Sequence, residues 1–251
     1  MTTLLVINGN TTEAITDRVA SVARGFCSPG TTIKAVTAET GPRVISTRTE
    51  NLLGAHSVLA LAARHHAGCD AAIIAVASDT GLRPVREALP IPVVGMTEAA
   101  LLTACALGDG FGFLAIDARG GGLYREVIAG HGLAPRLAAF KAIALPPEAF
   151  LSPAAAAEPI LAAIAELAAA GADVAVIGGA AFAGMARVLG ERAPIPILDS
   201  IGCAVRLAET LAALKPARPK SGAYAPLPPR ELVDVDPAVA ALFPSAPEKP
   251  R

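Results

Sequence analysis

Short apolar runs alternate with longer stretches of helical periodicity along most of this chain. Leu4–Asn8 is the first apolar run and ends in the polar string Asn8-Gly9-Asn10-Thr11-Thr12; apolar residues then return at helical spacing from Glu13 to Arg24. A strand, a turn and an N-capped helix are predicted there. Thr32–Val36 is the next β-rich run, Gly41-Pro42 breaks the chain, and Thr49–His66 reads as a long helix. Ala71–Ala77 follows as a buried strand, Gly81–Leu89 as a short helix, Pro92–Val94 as a strand between prolines and Thr97–Leu107 as an apolar helix. The rhythm then restarts: a strand over Gly110–Asp117, a Gly120-Gly121-Gly122 turn, a helix through Ile128, a strand around Phe140–Ala144, a helix over Ala154–Ala170 and a strand over Asp173–Ile177.

The restart is a repeat. Residues 68–81 read as a copy of residues 171–184, an offset of 103, and Pro90-Ile91-Pro92-Val93-Val94-Gly95 is answered 104 positions on by Pro194-Ile195-Pro196-Ile197-Leu198-Asp199. Duplication is the economical reading. Strands alternating with helices through short connections imply right-handed crossovers and parallel sheets. The predicted fold is therefore α/β, with two pseudo-symmetric, doubly wound parallel-sheet lobes and a cleft between them. The first lobe is expected over 1–108 and the second over 109–214. From 215 to 251 proline recurs so often that an extended wrap over the surface without regular structure, frayed at its end, is expected.

Composition narrows the chemistry. Hydrophobic residues make up 53% of the 251 and aromatics only 4%, with no Trp, so the core must be built from Ala, Val, Ile and Leu. A net charge of −1, without a Lys/Arg run, provides no footprint for nucleic acid or an anionic bilayer. There is no uncharged apolar run of roughly 18 residues, and the first residues enter a strand at once without a basic leader. A cytoplasmic protein with a small-molecule substrate, and neither nucleic acid nor membrane as partner, is expected; the Ala-rich helical surface is compatible with a homo-oligomer of unspecified size. Cys27, Cys69, Cys105 and Cys203 have neither metal spacing nor a disulfide framework, and His56, His65, His66 and His131 form no shared ligand set, so packing or solvation is expected for them and no metal site.

In parallel sheets ligands sit at the carboxyl ends of strands, beside helix N-termini. Asn8, Asn10 and Thr11, with Ser78, Asp79 and Thr80, supply short hydrogen-bonding groups suited to a carboxylate or imide oxygen; the alternative, for Thr12 and Thr80 in particular, is helix capping. Asn8 is read as facing the cleft. Gly178-Gly179-Ala180-Ala181 strips a strand end of side chains so that backbone N–H groups approach a ligand, or simply packs tightly. Asp199 reads as a structural cap.

These residues also carry a resemblance. Ile7-Asn8-Gly9-Asn10-Thr11-Thr12, Gly41-Pro42 with Ile45, Asp79-Thr80-Gly81-Leu82 with Arg86-Glu87, Ile91–Gly95 with Glu98-Ala99-Ala100, Phe111-Gly112, Ala183-Gly184-Met185-Ala186, Pro196–Asp199 and Lys220–Pro226 occur in order. Together they resemble the aspartate/glutamate/hydantoin racemase superfamily, in particular its hydantoin and allantoin racemase branch. The resemblance implies catalysis without a cofactor, by two cysteines that flank the stereocentre, one from each lobe. At the corresponding positions this chain has Val76 and Gly179, and Cys203 falls in a later helix where packing is expected.

Three functions follow as expectations. The first is a racemase or isomerase acting on a hydantoin-, allantoin- or amino-acid-like substrate, with Ser78, Asp79 or Asp117 as replacement proton carriers and Asn8, Asn10, Thr11, Thr80 and Gly178–Ala181 binding the substrate. The second is a hydrolase, lyase or decarboxylase on the same scaffold that uses Ser78, Asp79 and Thr80. The third is a non-catalytic small-molecule-binding homologue.

Overall fold

The computed structural model describes residues 1–145 and 153–244. The first repeat runs β1 (Thr2–Asn8), α1 (Glu13–Phe26), β2 (Thr31–Thr37), α2 (Arg48–His65), β3 (Ala71–Ile74), α3 (Leu82–Ala88), β4 (Val93–Gly95) and α4 (Met96–Cys105). The second runs β5 (Phe111–Ala115), α5 (Gly121–Gly130), β6 (Leu137–Ala142), α6 (Pro153–Ala169), β7 (Val174–Gly178), α7 (Met185–Leu189), β8 (Ile197–Leu198) and α8 (Ser200–Leu214). Each forms a four-stranded sheet, ordered β2-β1-β3-β4 and β6-β5-β7-β8, and every pairing is parallel. The α/β, two-sheet architecture is the one predicted. The run expected to be strand through Ala77 leaves the sheet after Ile74, so Ala75–Gly81 forms the loop into α3.

The central strands are apolar on both faces because helices cover both. Leu4, Val6, Ala71 and Ile73 point to one side and pack with α1 and α8; Leu5, Ile7, Ala72 and Ile74 point to the other and pack with α2 and α3. The repeats exchange their last helices. Ile201, Ala204, Val205 and Ala208 of α8 lie in the core of the first sheet, while Ala100, Leu101 and Ala104 of α4 pack against Phe111, Phe113, Val174 and Val176 of the second. Residue 108 lies between the two sets of strands and residue 214 ends α8, but each sheet is covered by a helix from the other repeat.

The tail crosses the first sheet's outer helices. Arg218 Nη2 donates to the Glu87 carbonyl at 2.6 Å, Arg64 pairs with Asp236, and Val239 packs on Ala60 and Ala63. The expectation of no regular structure is corrected by α9 (Pro237–Ala240): Asp236 Oδ1 accepts from Ala238 N at 2.8 Å, and proline at the first helical position lacks only an N–H that would have no partner there. The expected frayed end at residues 245–251 lies outside the described residues.

Candidate active site

The carboxyl ends of β1, β3, β5 and β7 converge on a cavity of about 100 Å³ between the lobes. Val76 and Ala77 line it from the first lobe, Ile116, Asp117, Tyr124 and Gly178–Phe182 from the second, with Asn10 and the β2–α2 loop residues Val44, Ile45 and Ser46 completing it.

Asn8 builds this loop from beneath. It is fully buried, its Nδ2 donates to Asn10 Oδ1 at 3.1 Å and Thr16 Oγ1 at 3.0 Å, and its Oδ1 accepts from Asn10 N at 3.2 Å. The reading of Asn8 as a cleft-facing binder is corrected: a buried amide must satisfy its own donors and acceptors, and it does so within the chain. Thr11 N donates to the Pro42 carbonyl at 3.0 Å and Thr12 Oγ1 to the Arg43 carbonyl at 2.8 Å, so these residues stitch down the β2–α2 loop instead of lining the cavity. Thr12 makes no side-chain cap bond; Asn10 Oδ1 accepts from Thr12 N at 3.0 Å instead. Asn10 alone of this string reaches the cavity, and its Nδ2 has no acceptor among the described residues.

The next three predicted residues face elsewhere. Thr80 donates its hydroxyl proton to Asn51 Oδ1 at 2.6 Å, leaving Ser78 as donor to Thr80 Oγ1, also at 2.6 Å. Ser78 and Asp79 line a second interlobe cavity, of about 300 Å³, with Asn51, Arg83, Glu126 and His131. Asp79 has a left-handed backbone, φ 46°, and its carboxylate accepts from Thr97 N at 3.0 Å, Glu98 N at 2.8 Å and His131 Nε2 at 3.0 Å. Burial pushes its carboxyl above the usual range, against those three donors. Asp79 thus caps α4, and neither it nor Ser78, both expected to be catalytic, lines the cavity that holds Val76 and Gly179.

Asp117 does reach the first cavity. It is half-buried and Oδ1 accepts from Arg119 N at 2.9 Å; burial first, and the Asp117 charge second, push the Tyr124 phenol up to about 12. Gly179 has φ 141°, a conformation L side chains rarely adopt, and Ala180–Phe182 forms one 3-10 turn beside it. Gly178 serves packing, since a Cβ there would lie 2.6 Å from the Phe113 ring. Asp199 caps α8, as expected, and Cys203 packs between the two sheets' cores with its thiol pushed up by burial. Among the described residues, no cluster of three His, Cys, Asp or Glu side chains has the arrangement of metal ligands.

The model for the family Asp/Glu/Hydantoin racemase matches residues 4–208. The chain belongs to that family. A hydantoin racemase of Paenarthrobacter aurescens is 32% identical over 225 residues, which are 88% of this chain and 95% of that one. The allantoin racemase of Pseudomonas fluorescens superposes with a TM-score of 0.87 at 31% identity, covering 92% of this chain and 99% of that one. That of Klebsiella pneumoniae gives 0.85 at 29% identity over 97% and 100%. Membership places the chain among racemase-type enzymes. In this racemase-family chain Val76 and Gly179 line one cavity, one from each lobe, and among the described residues no cysteine lines it.

Sequence reasoning missed Tyr124, Ser46 and His131. Tyr124 had a signal, a single aromatic hydroxyl one turn into the helix after the Asp117 loop. His131 had none, because 52 residues separate it from its partner Asp79.

Proposed function

We propose that this enzyme inverts a stereocentre in a small cyclic ureide or amino-acid-like acid of the hydantoin or allantoin kind, without a cofactor. The observation that carries the reading is the convergence of Val76, Gly179, Asp117 and Tyr124 on a single interlobe cavity. At about 100 Å³ the cavity is small beside the pockets that take drug-sized ligands, which suits a compact molecule. Asp117 is the carboxylate positioned to take the acidic proton. Tyr124, held neutral, and the Asn10 amide are donors for the developing enolate oxygen, joined by backbone N–H groups of Gly179–Ala181. Ser46 is the hydroxyl that the first lobe contributes to hold a water; that water delivers the proton to the opposite face, and Asp117 passes the proton it took to solvent, so the enzyme returns to its starting state. The hydrolytic, lyase and decarboxylase readings built on Ser78, Asp79 and Thr80 are not favoured, since none of the three lines this cavity.

The test is proton NMR in D2O with 5-substituted hydantoins, allantoin, aspartate and glutamate. Deuterium entering the α-position with the carbon skeleton intact, and falling at least about 100-fold in Asp117→Asn, is the expected result. A second reading, binding without turnover, is favoured by the lack of a titratable side chain at both Val76 and Gly179; saturable binding with no exchange in the whole panel would establish it over the first.

A further inference from the structure

The two repeats cap their equivalent helices differently. In the second, Asp199 accepts from Ile201 N at 3.0 Å and Gly202 N at 2.9 Å, and its other oxygen accepts from Gly184 N at 2.6 Å, so cap and loop close within one repeat. In the first, the position 104 residues earlier is Gly95, without a side chain. Asp79 fills that space: a Cβ on Gly95 would lie 2.5 Å from the Asp79 carboxyl. The cap of α4 is therefore borrowed from the loop after Val76, and the carboxylate comes to rest at the lobe boundary.

There it meets His131, which follows directly on α5. The imidazole side chain is only 12% exposed, with Nε2 at 3.0 Å from Asp79 Oδ2 and Nδ1 at 3.6 Å from Glu98 Oε1, and Glu98 is paired in turn with Arg86. Capping α4 requires Asp79 but not His131. What the histidine adds is a tie across the lobes. On its own side lies α5, which carries Tyr124 and begins just after Asp117; on the other, Asp79 N donates to the Val76 carbonyl at 2.8 Å, and Thr97 Oγ1 donates to the Ala77 carbonyl at 2.7 Å. Arg83 with the Gly130 carbonyl and Arg48 with Glu126 tie the same helix from more exposed positions.

We infer that His131 is a positioning residue: by bridging α5 to the Asp79 loop, it sets the spacing between the two walls of the Val76/Gly179 cavity. This rests on the reading of that cavity as the active site. A displacement of catalytic groups by about 1 Å costs on the order of 100-fold in rate, so the loss should appear in kcat more than in KM.

The experiment compares His131→Ala, His131→Gln and the cap transplant Asp79→Gly/Gly95→Asp. The transplant provides α4 with a local cap of the Asp199 kind and removes the carboxylate from the boundary. Each is measured for Tm, for kcat and KM on whichever hydantoin or allantoin the parent exchanges, and for amide hydrogen exchange over residues 75–81 and 121–131. Expected are faster exchange in both segments and a kcat loss of about tenfold or more in His131→Ala and in the transplant, with the transplant's Tm close to the parent's. His131→Gln, which restores an N–H donor toward Asp79, should recover part of both. Parent-like kcat and exchange in His131→Ala, or an activity loss that only follows a lowered Tm, would overturn the inference. If the parent turns over nothing, the reading of the cavity fails, while the exchange rates of the two segments still decide whether His131 ties the lobes.

Discussion

At the scale of single residues, the polar groups at the strand ends divide by burial and by prior engagement. Asn8, Ser78 and Thr80 spend their hydrogen bonds inside the protein, whereas Asn10 Nδ2 has no acceptor and Asp117 keeps an oxygen without a hydrogen-bond partner among the described residues. Tyr124 provides a check that needs no substrate. Its folded value, about 12, is raised above the ordinary phenol value of 10 by burial first and by Asp117 second. A raised value contributes stability that is fully present below the unfolded pKa and is lost as pH rises through the folded one. In an absorbance titration at 295 nm, the Tyr124 phenolate should thus develop only toward pH 12 or on unfolding, and Asp117→Asn should bring its midpoint down. A Tyr124 midpoint near 10 in the folded parent would contradict the buried, neutral donor. Val76→Cys offers a second residue-scale test: a thiol there enters the cavity without any positive-φ strain, and it should raise α-deuteration if the pocket fits a hydantoin-like ring.

At the scale of elements, the exchange of α4 and α8 explains where the alanines go. Ala204 and Ala208, like Ala100 and Ala104, allow these helices to lie close on sheets made of medium-sized aliphatic residues. On α8 Gly202 makes room for α1, since an added Cβ would be 2.7 Å from the Phe26 ring against which the helix crosses. Gly202→Ala should cost about 1–3 kcal/mol in urea unfolding, because overpacking forces the ring to shift. Gly190→Ala, where an added Cβ meets nothing, is the control and should stay within about 0.5 kcal/mol. The exchange also predicts that residues 1–108 do not fold alone: the first sheet would lose the cover of Ile201 and Val205, and α4 would expose Leu101. Strong dye binding and poorly dispersed NMR spectra are expected of that fragment, and a well-dispersed monomer would refute the account.

At the scale of the whole molecule, the tail from Lys215 onward is fastened to the first lobe's surface at a few points, of which Arg64–Asp236 is the ion pair among the described residues. The hydrogen bond from Arg64, then that from Ala238 N, hold the Asp236 carboxyl below the usual carboxylate range. For a depressed value the stabilisation is present above the unfolded pKa and disappears as pH falls through the folded one. Proteolysis of the tail should accordingly be slow at neutral pH, quicken below about pH 4 and quicken with Asp236→Asn at any pH. Added salt should act in the same direction, since the guanidinium is exposed.

What was legible in the chain was its periodicity. Apolar runs at strand length and helices at 3.6-residue spacing are local properties, so the alternation, the parallel sheets and the repeat follow from the order of residues 1–214 alone. The resemblance carried by the Asn8–Thr12 and Asp79–Leu82 strings pointed to the racemase family for the same reason, because those loops are contiguous. The direction of each loop side chain was not legible. Asp79 beside Ser78 and Thr80 has the look of an acid in a catalytic loop, but its orientation depends on Gly95 leaving room and on His131 arriving from the other repeat, neither of which is a neighbour in sequence. The sequence by itself thus determined the elements and the strand ends at which a site could form. Tertiary structure alone decided which sheet each terminal helix covers and which of those polar groups keep a hydrogen bond for a ligand, since both depend on contacts between residues far apart along the chain.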